Sequence, residues 1–298
     1  MNAIRHRLET PLTFSCGDAV LVGILHGTSR PARRGVVIVV GGPQYRAGAH
    51  RQYVTLARSL AEAGVPTLRF DYRGMGDSGG DFRGFEDCGD DIAAAVDALM
   101  EHQPGIEEVV LWGLCDGATA IAFHLADTDR RRHPAVAGAV LLNPWARSDA
   151  GAAAARVKHY YGRRLLNPAF WRKLLAGGVD LRGAAAQALG SLRAARGGAR
   201  ATTQSAGPAP LPDRLAAALE AVSVPLTVIL SGRDLTAREF EDTVLARRSV
   251  RRRFKGRNAF ALHRMPDANH TFSAEVHRAQ VLARTLGHLQ SDFGGGRP

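Results

Sequence analysis

The chain has 298 residues, 45% of them hydrophobic, enough to bury one large core and better suited to a single α/β domain with an insertion than to two equal domains. Its three cysteines, Cys16, Cys88 and Cys115, are odd in number and lack metal-ligand spacing, which argues against a disulfide framework or a zinc site; no metal or other cofactor is expected. The net charge of +11 comes without zinc-finger spacing or an RNP-like aromatic strand, so nucleic acid is not an expected partner.

In chain order, residues 12–28 alternate apolar and polar as two antiparallel strands would, turning near Gly17 and Asp18. GVVIVV (35–40) reads as a buried strand, 51–63 as a helix, 65–70 as a second buried strand and 85–100 as another helix. A third buried strand is predicted over 108–112, with a helix over 116–126 starting almost at its end. Strands at 138–142, 225–230 and 259–264 precede a C-terminal helix over 273–290. Repeated strand–helix order implies an α/β fold with a mostly parallel central sheet and helices on both faces.

Between residues 142 and 225 lie about 80 residues, too many for an ordinary crossover. They open with helical, aromatic-rich sequence including Tyr160, Tyr161, Phe170 and Trp171, the pattern of a lid. The stretch 183–210 is rich in Ala, Gly and Arg and reads as mobile. The expected organisation is an α/β core in two parts, 1–144 and 223–298, interrupted by a basic cap at 145–222 that carries 12 Lys/Arg against four Asp/Glu. Such a surface attracts anions, among them a CoA-like thioester, an acidic glycan or a phospholipid face, although a genomic bias toward arginine would give the same excess. The opening MNAIRHRLETPLTF lacks the plan of a signal peptide and the apolar runs are too short to span a bilayer, so a cytoplasmic location with at most peripheral membrane contact is expected.

The chemistry centres on VLWGLCDGAT (110–119), whose G-x-C-x-G frame is the G-x-S-x-G nucleophile elbow with sulfur in place of oxygen. Cys115 is expected on a sharp strand-to-helix turn, with Gly113 and Gly117 leaving room and the helix dipole favouring thiolate; the alternative is a cysteine that merely packs. His270, in MPDANHTF (265–272), follows the last strand and is the expected base. Asp234, closing SGRD (231–234), is the expected acid, in the order nucleophile, acid, histidine. Asp267 and Asp149 are rivals for the acid. Acyl transfer also needs oxyanion donors: the Asp116 N–H, and one from GGPQY (41–45), where Pro43 has none to give and Gly42 or Gln44 remains. Tyr45, Trp145, Phe170 and Trp171 are expected to line the substrate site. GMGDSG (74–79) matches G-x-G-x-x-G literally, but Gly80, Asp81 and Gly84 prolong the loop and no helix opens, so it reads as a turn in the site wall with Asp71 and Arg73 structural.

GGP at Gly41, FDYRGMGDS (70–78), GLCDGA (113–118), SGRD and DANH together resemble the α/β-hydrolase superfamily across nearly the whole chain. Within it, GLCDGA with SGRDLTA (231–237) is similar to the exosortase A system-associated hydrolase 1 family, which implies a bacterial exopolysaccharide or protein-sorting context. The cysteine elbow also resembles dienelactone hydrolases and polyhydroxyalkanoate synthases, in which the thiol turns over. Three functions are expected to compete: a hydrolase of a small or lipid-like ester or thioester, acting through an acyl-enzyme; an acyltransferase passing the acyl group to an alcohol or amine; and a non-catalytic accessory protein that docks through its basic insertion. Oligomeric state is not legible.

Overall fold

The computed structural model describes residues 9–42, 44–127, 133–147, 209–255 and 259–291. Two antiparallel strands, β1 (Glu9–Cys16) and β2 (Ala19–His26), turn at Gly17, whose φ of 57° the missing side chain permits. The parallel body follows with β3 (Arg34–Val39), α1 (Gln52–Glu62), β4 (Thr67–Asp71), α2 (Gly89–His102), β5 (Glu108–Leu114), α3 (Asp116–Ala126) and β6 (Val136–Leu142). Then come α4 (Leu211–Ala221), β7 (Leu226–Ser231), α5 (Leu235–Phe240), α6 (Arg248–Arg253), β8 (Phe260–Met265) and α7 (Glu275–Gln290). The eight strands form one sheet in the order β1-β2-β4-β3-β5-β6-β7-β8, antiparallel at β1/β2 and β2/β4 and parallel from β4 to β8. This is the α/β-hydrolase fold.

Alternation along the central strands sorts the core into two layers. Val37, Val39, Val109, Leu111, Ala139 and Leu141 face α2, α3 and α4, whereas Val36, Ile38, Val110, Trp112, Val140 and Leu142 face α1 and α7. Both faces being covered explains why these strands read as unbroken apolar runs. α4 lies within the segment expected as the cap, yet its Leu215 and Leu219 are fully buried in the same layer as α3.

GMGDSG forms a loop wrapped around the end of β4, as its sequence suggests. Asp71 is buried and accepts the backbone N–H of Arg46 at 2.5 Å and of Asp77 at 3.1 Å, and pairs with the Arg46 guanidinium. Arg73 makes a buried, forked ion pair with Asp91 at the start of α2. An added Cβ at Gly76 would run into the Asp71 carboxylate, so a negative charge lies directly against this glycine loop.

Candidate active site

The parallel strands all point their carboxyl ends to one edge, where loops collect chemically useful side chains. β5 ends there in the elbow. Cys115 has φ 62° and ψ −126°, a conformation that side chains rarely adopt, held by its N–H on Leu142 O (2.9 Å) and by its carbonyl, which accepts from Ala118, Thr119 and Trp145. The flanking glycines are required by contact: a Cβ on Gly113 would meet the Gly117 backbone at 2.8 Å, and one on Gly117 would meet Val39 O at 2.5 Å.

Cys115 is partly exposed, whereas Cys16 and Cys88 are buried. Burial pushes the Cys115 thiol up to about 12; the carboxylates of Asp116 and Asp234 act in the same direction, and the Asp116 N–H and Arg147 pull back only in part. The resting group is therefore a neutral thiol. Burial and the two carboxylates thus act against the stabilisation of thiolate expected from the dipole of α3.

Asp234 caps α5, accepting the N–H groups of Thr236 and Ala237 at 3.2 Å each, and the same carboxylate bonds His270 Nδ1 at 2.8 Å. Asp234 is nearly buried and the His270 ring about one-third exposed, so the pair has one sheltered end and one open end. Asp267, the rival acid, instead forms an exposed ion pair with Arg233. Asp149, Phe170 and Trp171 lie outside the described residues.

Two of the expected oxyanion donors have a partner. Gly42 N–H donates to Asp116 Oδ1, and Gln44 N–H to Gly42 O at 2.7 Å. Trp145 adjoins the elbow, its N–H on Cys115 O and its carbonyl accepting from Thr119 Oγ1, with the Arg147 guanidinium 4.7 Å above its ring. Tyr45 is exposed, with the Arg46 guanidinium 5.7 Å from its ring centre.

The sequence reading passed over Asn143, which is fully buried at φ 42°. Its Nδ2 donates to Ser231 Oγ and to the carbonyl of His270, while its Oδ1 accepts from Ser231 N–H, so one side chain ties the ends of β6 and β7 to the histidine loop. The available signal was a polar residue closing an apolar strand, just before proline. Among the described residues no group of three His, Cys, Asp or Glu side chains is placed to hold a metal ion, and no helix is long and apolar enough to cross a membrane.

The family model described as serine aminopeptidase, S33, matches residues 31–188, from just before β3 through the elbow and beyond. The chain belongs to this family. The family's name specifies a serine enzyme, whereas here Cys115 stands in the elbow frame. Among solved structures, an esterase of Pyrococcus furiosus superposes with a TM-score of 0.63 at 17% identity, over 96% of this chain and 92% of its own. An α/β hydrolase of a Penicillium species gives 0.58 at 17% identity, over 95% and 98%. A proline iminopeptidase of Mycobacterium smegmatis gives 0.54 at 19%, over 95% and 100%. At such identities the likeness is one of fold. No curated protein matches the sequence.

Proposed function

We propose that this S33-family chain hydrolyses an ester or thioester through an acyl-enzyme on Cys115. The observation that carries the reading is the 2.8 Å bond from His270 Nδ1 to Asp234, which leaves the opposite ring nitrogen to serve as base at the edge where the elbow projects its thiol. Because the thiol rests neutral, attack requires that base: the Sγ proton passes to His270 as sulfur bonds to the carbonyl carbon and the carbonyl electron pair moves onto oxygen. Asp116 N–H and the Gly42 or Gln44 N–H stabilise that oxygen. Collapse expels the alcohol or thiol, which takes the proton from His270, and water activated by the same ring releases the acid. Tyr45 and Trp145 line the acyl site on this reading. The esterase similarity supports an ester, and the excess positive charge of residues 145–222 suits an anionic or lipid-like substrate. GLCDGA and SGRDLTA support the narrower kinship with exosortase-associated hydrolases.

The test is a panel of aryl esters and acyl thioesters, with intact-mass detection of an adduct at Cys115. Cys115→Ala is expected to abolish turnover and adduct while the melting temperature stays put, since the side chain sits in a turn. Comparable turnover in that variant sinks the assignment. Release that accelerates only with an added alcohol or amine would make the chain an acyltransferase, and silence across the panel with all acceptors would leave the accessory role.

A further inference from the structure

The attack above uses only the backbone N–H of Asp116, yet its side chain occupies the heart of the elbow. Asp116 Oδ1 accepts from Gly42 N–H and, at 3.1 Å, from Gly117 N–H. It also lies against the Cα of Gly41, where an added Cβ would run into it and into Leu114 O. One carboxylate thus bridges the first turn of α3 to the loop after β3, and in doing so takes a hydrogen that the oxyanion needs. Gln44, the other candidate donor in that loop, has its N–H on Gly42 O.

Resting on the assignment of Cys115 as nucleophile, we propose that Asp116 is a positioning residue that acts through Gly42: its carboxylate latches the oxyanion loop, and a substrate carbonyl must take the Gly42 N–H from it. The N–H has one hydrogen, so carbonyl and carboxylate compete for it directly. Charge growing on the carbonyl oxygen also grows beside an anion, which opposes it until the carboxylate gives way. The same side chain helps keep the neighbouring thiol protonated. Both charges of the tetrahedral step, on sulfur before attack and on oxygen after it, are thereby held back by one residue that the nucleophile, base and acid do not include.

Two variants separate this from simple support of the loop. Asp116→Asn keeps an acceptor of the same shape without the charge, and Asp116→Ala removes it. A substrate-like aldehyde, whose adduct with the thiol sets its tetrahedral oxygen in the oxyanion position and leaves that oxygen anionic when the thiol proton stays on His270, reports on the donor; iodoacetamide alkylation of Cys115, which needs thiolate but makes no oxyanion, reports on the thiol alone. Aldehyde affinity is expected to rise in Asp116→Ala by about tenfold or more beyond any gain in alkylation rate, with Asp116→Asn between it and the parent. Aldehyde affinity that gains no more than alkylation, or falls in both variants, overturns the latch. In a Cys115→Ala background the Gly42 amide proton should move upfield when Asp116 is replaced by Ala, and an unmoved resonance overturns the latch as well. Failure of the nucleophile assignment is distinguishable, because it appears as turnover surviving in Cys115→Ala itself.

Discussion

Asn143 adopts a left-handed backbone at the end of β6 and has no exposed surface, a combination sustained because its amide completes three hydrogen bonds at once. Asn143→Ala would strand the buried Ser231 N–H and the His270 carbonyl and leave a β-carbon residue in the left-handed region without a local compensation, a loss of about 3 kcal/mol. The urea midpoint should fall by that loss divided by the slope, the slope itself staying unchanged, and turnover should fall with it as the His270 loop loosens. A loss under about 1 kcal/mol would mean that the tie is not what holds the loop. This residue marks the limit of sequence reading at this scale. Cys115, Asp234 and His270 were legible as candidates because each sits beside a recognisable strand end and chain order ranks them. Asn143 acts across 88 and 127 positions, and the Asp116 carboxylate across 74, separations at which no local pattern exists.

At the scale of elements, the strands and larger helices were readable because apolar period and length agree, and α3 begins where the elbow glycines say it must. α5 and α6 were missed: each has only six residues, and α6, RSVRRR, presents charge where periodicity is sought. α4 was absorbed into the expected cap, although Leu215 and Leu219 one turn apart and a proline in its first turn announce a helix. Two glycines in helices show how packing overrides propensity. Alanine favours a helix over glycine by about 1 kcal/mol. In α7, a methyl group added at Gly287 would meet nothing within 4 Å, so Gly287→Ala should stabilise by up to about that amount. In α3, Gly117 faces the backbone of Val39 and Val40, which cannot yield as a side-chain tip would. Gly117→Ala should therefore destabilise by about 2 kcal/mol despite the better propensity. Thermal melts of the two variants should shift in opposite directions; a shift of the same sign in both would mean that the contact at the elbow is softer than described.

Across the whole molecule, the alternation of strands and helices made the sheet legible from sequence, but the burial of individual ionisable groups was not, because charge in a sequence carries no depth. His288 illustrates the consequence. Its ring is buried between α7 and β7, with Nδ1 2.9 Å from Thr227 Oγ1, and burial, reinforced by Arg34, pulls it down from the usual 6.5 to about 4. Between those values the unfolded chain takes up a proton that the folded chain refuses, so stability rises with pH across the window and is lost as pH falls from about 6.5 to about 4. The displacement corresponds to about 3 kcal/mol, a substantial part of the total stability of an ordinary domain. His263, also lowered by burial and by Arg284, acts with the same sign. Asp116 opposes them, since burial raises its carboxyl and the folded form then gains, relative to the unfolded chain, as its proton is taken up. Urea midpoints measured at pH 7 and pH 4.5 should fall steeply in the parent protein. In His288→Gln, which retains a hydrogen-bonding amide but cannot titrate, most of that fall should disappear; an equal fall in the variant would assign the acid sensitivity to other groups.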